Sequence, residues 1–133
     1  MITANKALKA VEAAEAKAKE LGIAITTCVV NEHGTVIATL KMDGSLVVSP
    51  KFAYTKAYTS ATLKFPTSAL GAYSAPNKPY YGLTSLDGGR YTAIAGGLPI
   101  QEGDKVVGAV GVGGSADVSQ DEECAKAAVA ALA

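Results

Sequence analysis

Gly96-Gly97-Leu98-Pro99-Ile100 and Lys105-Val106-Val107-Gly108-Ala109-Val110-Gly111-Val112-Gly113-Gly114-Ser115 place two extended stretches on either side of a Gly103-Asp104 turn. The second carries small or apolar residues on both faces, Val106, Gly108, Val110 and Val112 against Val107, Ala109 and Gly111. That pattern predicts a central strand covered on both sides. Its glycines thin the strand so that a helix, a neighbouring subunit or a flat ligand can come close. Gly111-Val112-Gly113-Gly114-Ser115-Ala116 also fits G-x-G-x-x-A between a strand and a helix, the outline of a dinucleotide fingerprint. A Rossmann unit needs a further strand and an acidic ribose ligand about 20 residues on, and the sequence stops inside the following helix. A tight turn with close strand packing is therefore the preferred reading. One narrower site stands: the amides of Gly114 and Ser115, near the N-terminus of the last helix, are placed to hold a carboxylate or phosphate.

Outward from this strand, the rest of the chain reads as an α+β domain. Thr3 can cap a helix with Ala7, Leu8, Val11, Ala14, Ala18 and Leu21 on its apolar face, ended by Gly22. Ile23 to Asn31 and Val36 to Met42 form a β-hairpin across the turn Asn31-Glu32-His33-Gly34. Asp43-Gly44-Ser45 turns the chain into a second helix that starts at Ser49-Pro50, read as cap and first-position proline, and stops at Phe65-Pro66, with Ala53, Ala57 and Ala61 along one face. Residues 67–90 are glycine- and proline-rich and irregular, with one short helix at Thr67 to Tyr73. Strands are expected at Tyr91 to Ala95, Leu98 to Glu102 and Lys105 to Val112. Ser119-Gln120-Asp121-Glu122 reads as a capping box for a last helix with Ala125, Ala128, Val129 and Leu132 on its apolar face. The expected architecture is a mostly antiparallel five-stranded sheet flanked by helices, formed by residues 1–133 as a single domain.

Composition narrows the function classes. Twelve basic and twelve acidic side chains cancel, so the positive field of a nucleic-acid binder is missing. No apolar stretch is long enough to span a bilayer, and the N-terminus has no signal pattern, so no membrane role and a cytoplasmic address are expected. Cys28 and Cys124 read as buried free thiols, and one histidine with no close cysteine pair argues against a zinc site.

Several residues are candidates for ligand contact. Lys56 lies one turn from small residues on the second helix and can reach a pocket beside Thr59, although lysines on helices are as often solvated. Lys41 and Asp43, around Met42 and Gly44, can set a cation and a carboxylate at a pocket rim, or form an ordinary turn. Tyr80 and Tyr81, with Tyr73, can stack on a planar ligand or cover a core edge. Gly96, Gly97, Gly114 and Ser115 supply close backbone. His33 belongs to a hairpin tip, where an exposed turn histidine is favoured over a base or iron ligand. Glu122 and Glu123 oppose the dipole of the last helix and read as structural. No Ser/His/Asp or Cys/His arrangement emerges.

Val29-Val30-Asn31-Glu32-His33-Gly34, Lys41-Met42-Asp43-Gly44, Lys56-Ala57-Tyr58-Thr59-Ser60-Ala61, Gly96-Gly97-Leu98-Pro99-Ile100, Val107 to Gly114, and Asp121 followed by Ala125 resemble, in order and spacing, the GlcG/HbpS haem-binding (haem-degrading) family. Tyr80-Tyr81-Gly82-Leu83 further resembles the branch found as the C-terminal domain of PduO-type corrinoid adenosyltransferases and as free-standing proteins linked to diol metabolism. The resemblance implies a profilin-like α/β/α arrangement, homo-oligomers, and binding of haem or a corrinoid-related compound. It departs at Asn31, where the family usually has Asp, and at Gly113, where many members have Ser. Iron ligation draws on His, Cys, Met or Tyr, which leaves His33, Cys28, Met42 and the tyrosines as candidates. The first expectation is thus a tetrapyrrole pocket between the second helix, the Tyr80-Tyr81 loop and the Gly-rich strand. The alternatives are an enzyme on a small oxygenated metabolite, with Lys56 and Lys41 orienting an anion and Asp43 as base, and a structural companion in diol metabolism.

Overall fold

Thr3 accepts a hydrogen bond from the Lys6 amide and Gly22 closes the far end at φ 73°, so the first helix, α1, runs Ala4–Leu21 between the two residues that the sequence marks as its caps. The computed structural model describes residues 1–133. Strands β1 (Thr26–Asn31) and β2 (Val36–Lys41) form the hairpin, and Asn31 Oδ1 accepts from the His33 and Thr35 amides at its tip. Helix α2 covers Ser49–Leu63 and α3 covers Thr67–Ser74; a 3-10 segment follows at Leu83–Gly89. Strands β3 (Gly97–Glu102) and β4 (Lys105–Gly113) and helix α4 (Val118–Ala130) complete the chain.

The sheet is four-stranded and antiparallel, in the order β2-β1-β4-β3, with β4 central as its two-sided apolar pattern requires. The fifth strand expected at 91–95 does not form. There the Thr92 amide donates to Thr59 Oγ1 and the Ile94 amide to Thr92 Oγ1, so threonine hydroxyls take the donors that a ladder would have used. Two further expectations are corrected. Ser49 is the first residue of α2 rather than its cap, and its hydroxyl instead joins Thr26 Oγ1 at 2.8 Å. Asp117, not Ser119, caps α4, accepting from the Ser119 amide at 3.0 Å, because an Asx turn two residues earlier supplies a charged acceptor.

Helices α1 and α4 pack side by side on one face of the sheet, and α2 lies on the other. Under α1 and α4, Val29, Val110, Val112 and Ile100 meet the alanine stripe Ala7, Ala10, Ala14 and Ala18 together with Ala125 and Ala128. Leu8, expected on that stripe, is exposed, and Ala10 takes its place. Under α2 the packed residues are Ala53, Ala57, Ala61, Cys28, Val30 and Ala109. A Cβ on Gly111 would collide with the Ala53 carbonyl and the Ala57 amide, and one on Gly113 with Phe52, so these glycines set how near α2 lies. No helix is long and apolar enough to cross a membrane.

Candidate functional site

The stripe of α2 that faces the sheet reads Ala53, Lys56, Ala57, Ser60, Ala61, so a charged side chain stands at a core position and is only 1% exposed. Burial of a lone ammonium is prohibitive without partners, and Lys56 has two. Its Nζ donates to the Val112 carbonyl at 2.8 Å and to Asp121 Oδ2 at 3.0 Å. Asp121 projects from α4, on a stripe that continues through Cys124, Ala125 and Ala128, and its Oδ1 accepts from the Ser115 amide at 3.0 Å. Gly96, at φ 126°, leaves the necessary space: a Cβ there would lie 2.9 Å from Lys56 Nζ. Desolvation by burial pushes the Lys56 ammonium below the ordinary lysine range and the Asp121 carboxyl above the ordinary aspartate range, while each opposite charge pulls the other way. The result is a buried, hydrogen-bonded ammonium–carboxylate pair.

This pair borders a cavity of about 50 Å³ that is otherwise walled by Leu46, Phe52, Ile94, Val118, Gly114 and Ser115. Leu46, Gly114 and Ser115 also line a larger groove of about 430 Å³, beside Gly44, Ala116 and Gln120. The sequence places an external anion on the Gly114 and Ser115 amides. The structure gives the Ser115 amide to the protein's own Asp121 carboxylate instead.

The remaining predicted contacts fall elsewhere. Thr59 is buried and structural, donating to the Thr55 carbonyl and accepting from the Thr92 amide. Gly97 donates to Thr67 Oγ1 and lies too near the Lys56 carbonyl for any side chain. Lys41 donates to the Ser45 carbonyl at 2.8 Å and Asp43 stays on the exposed turn; neither borders the Lys56 cavity. Tyr80 and Tyr81 line a separate groove of about 500 Å³ with Leu63, Pro79, Gly82, Leu83 and Leu86. The features expected around a single pocket, α2, the tyrosine loop and the Gly-rich strand, thus line two separate cavities. Sequence reasoning missed Asp121, Phe52, Leu46, Ile94 and Val118. Asp121 had a readable signal, an acidic residue on the apolar stripe of its helix, matched by a lysine on the stripe of another.

The candidate iron donors are also distributed. His33 is exposed at the hairpin tip, and Cys28 lies beneath α2 with its thiol pushed up to about 11 by burial. Met42 Sδ accepts from the Ile25 amide, and Tyr58 donates to Asp87 at 2.6 Å. Tyr73, Tyr80 and Tyr81 are the donors that line open grooves. No group of three or more His, Cys, Asp and Glu side chains is gathered for a metal ion.

Comparison with known proteins gives a consistent set of relatives. The family model described as haem degrading protein HbpS-like matches residues 2–130. An uncharacterized 15.0 kDa protein of the dhaT-dhaS intergenic region of Citrobacter freundii is 35% identical over 128 residues, which cover 96% of this chain and 89% of that one. The corrinoid adenosyltransferase PduO of Salmonella typhimurium is 32% identical over 120 residues, which cover 90% of this chain but 35% of the enzyme. This chain thus corresponds to about a third of PduO. Among solved structures, the PduOC:heme complex superposes with a TM-score of 0.93 at 29% identity, covering 98% of this chain and 94% of that one.

Proposed function

The chain belongs to the HbpS-like family of haem degrading proteins, and we propose that it is a small-ligand-binding protein whose ligand is haem or a related tetrapyrrole or corrinoid. The observation that carries this reading is the tyrosine groove. Its volume of about 500 Å³ falls within the range of small-molecule sites. Its walls are Leu63, Pro79, Leu83 and Leu86, and the rings of Tyr80 and Tyr81 stand 46% and 68% exposed. A planar ligand laid over these rings would remove apolar surface from water at about 25 cal/mol per Å².

The residues fit a porphyrin in kind. Tyrosine is an established class of haem iron ligand, and the phenols of Tyr80 and Tyr81 are not committed to the hydrogen bonds that occupy Tyr58 and Tyr91. Lys64 and Lys78 are neighbours in sequence of the groove residues Leu63 and Pro79 and would meet ring carboxylates at the rim. Such a ligand would bring a redox-active iron; the chain would bind it, orient it and shield one face from water. The likeness to a structure described as a PduOC:heme complex supports the same ligand class.

Two finer parts of the reading rest on separate features. Edge strand β2 exposes Val36 and Leu40 and its ladder groups are open on one side, which supports pairing with a further copy of the chain in a homo-oligomer. The buried free thiols Cys28 and Cys124 support a reducing compartment such as the cytoplasm.

Titration with haemin tests the ligand. A saturable Soret shift at micromolar protein is expected, and replacing both tyrosines, Tyr80→Ala with Tyr81→Ala, should weaken binding about tenfold or more, equivalent to about 1.4 kcal/mol. A parallel titration with cobalamin separates a corrinoid from a porphyrin. Absence of saturable binding in both titrations would overturn the proposal.

A further inference from the structure

The Lys56–Asp121 cavity lies apart from the tyrosine groove. We propose that it is a second ligand site, which takes a small neutral aldehyde or ketone and captures it through Lys56 Nζ as an imine. This inference does not depend on the tetrapyrrole reading.

Four observations converge on that chemistry. An ammonium has three N–H donors, and Lys56 commits two, to Val112 O and Asp121 Oδ2, while its side chain borders the cavity. The other walls are largely apolar, with Phe52, Ile94 and Val118 around a lysine that is itself only 1% exposed. A lysine so desolvated gives up its proton more readily than one in water, which is how amine nucleophiles are made. Finally, the pair is already neutral as a unit. A carboxylate or phosphate would add an uncompensated charge to a buried site, and the nearby Ser115 amide is held by Asp121. A carbonyl compound brings an acceptor without a charge.

Size sets the rest of the ligand class. The cavity, about 50 Å³, has room for more than one water but not for a large group, so it admits a carbonyl carbon and one small substituent. Leu46, 56% exposed, stands on the wall shared with the groove of about 430 Å³. Gly114 and Ser115 border both spaces as well, so a short chain on the carbonyl carbon would extend towards that groove.

The step balances within the site. Asp121 Oδ2, 3.0 Å away, takes a proton from the ammonium and frees the nitrogen lone pair. The C–N bond forms as the carbonyl π bond opens. The oxygen leaves as water with two of the three ammonium protons, one of them returned by Asp121, and a protonated C=N bond remains beside the aspartate carboxylate. No electrons are gained or lost.

The full chain, treated with acetaldehyde and cyanoborohydride near neutral pH and mapped by peptide mass spectrometry, tests this. Lys56 should acquire its ethyl mark faster than exposed Lys9, Lys51 or Lys105, because desolvation leaves its amine more often unprotonated. Its rate should also saturate with acetaldehyde concentration. Leu46→Trp, a change at an exposed position, should slow Lys56 alone. A Lys56 rate at or below that of the surface lysines, a rate linear in acetaldehyde, or indifference to Leu46→Trp would each overturn the proposal.

Discussion

On the face of the sheet covered by α1 and α4, branched side chains such as Val29, Val110, Val112 and Ile100 fill the space against columns of alanine. On the face covered by α2, Gly97, Gly111 and Gly113 meet Ala53, Ala57 and the α2 backbone, and the largest fully buried side chain is Lys56. The first face is held by apolar area removed from water. The second gains little area per residue and is held by close approach, with a charged pair locked into the gap. A layer so tight holds Lys56 between the Val112 carbonyl and the Asp121 carboxylate.

The largest break in this contrast comes from removing one member of the pair. Lys56→Met leaves Asp121 buried without its cation and should cost about 3–5 kcal/mol in urea unfolding, whereas Lys56→Met combined with Asp121→Leu should recover most of it. A single-variant cost below about 1 kcal/mol would mean that the pair is effectively solvated. The pH dependence has a definite sign. Burial raises the folded-state pKa of Asp121 above its unfolded value of 3.8, so above that value the native state binds more protons than the unfolded one. Stability from this group is present at low pH and is lost as pH rises through the folded-state pKa. With the lysine gone the shift grows, and Lys56→Met should be more stable at pH about 5 than at pH about 8.

Next in size is a methyl group placed in the gap. Gly111→Ala drives a Cβ into the Ala53 carbonyl and Ala57 amide, and α2 must move as a body; overpacking of this kind costs about 1–3 kcal/mol. The same change should also disturb Lys56, so the saturable aldehyde labelling at that residue should fall with it. On the opposite face, Val110→Ala removes two methyl groups from a filled layer and should cost about 2 kcal/mol in the same unfolding assay, leaving labelling of Lys56 unchanged. If both variants altered labelling alike, the two faces would not be independent.

The sequence made the two-sided strand and the caps of α1 readable because both are local: alternation along β4, Thr3 before the helix and Gly22 after it. The four-stranded sheet was misread as five because Tyr91 to Ala95 has strand-like composition, while the acceptors that take its amides, Thr59 Oγ1 among them, lie on another element. The site was legible in halves. Lys56 stood out for its small neighbours, but its partner is 65 residues away, and only the helical phase of Asp121 with Cys124, Ala125 and Ala128 placed it in the core. Tyr80 and Tyr81 line one groove together, and it is separate from the Lys56 cavity. That lysine faces the sheet from the middle of α2, while the tyrosine groove begins at Leu63, seven residues or about 10 Å further along the helix.

The smallest effect concerns a second set of charges, which sharpens the contrast because it lies in water. Glu102, at the end of β3, meets the Met1 amino group at 2.5 Å and Lys6 Nζ at 2.7 Å, tying the start of α1 to the sheet edge. Hydrogen bonds from Lys6 and the N-terminus hold its pKa down from 4.5 to about 2. The native state therefore binds fewer protons than the unfolded state between those values, so the contribution is fully present above pH about 4.5 and lost as pH falls towards about 2. These partners are solvent-exposed, and salt screens them. Glu102→Gln should accordingly lower Tm slightly at neutral pH and low salt, with the difference vanishing both in concentrated salt and near pH 2. Lys56→Met should show neither the salt relief nor that pH profile, because its charges are buried and its carboxylate is shifted the other way. Equal salt sensitivity in the two variants would place Lys56 in contact with bulk water and remove the basis for a water-excluding amine site.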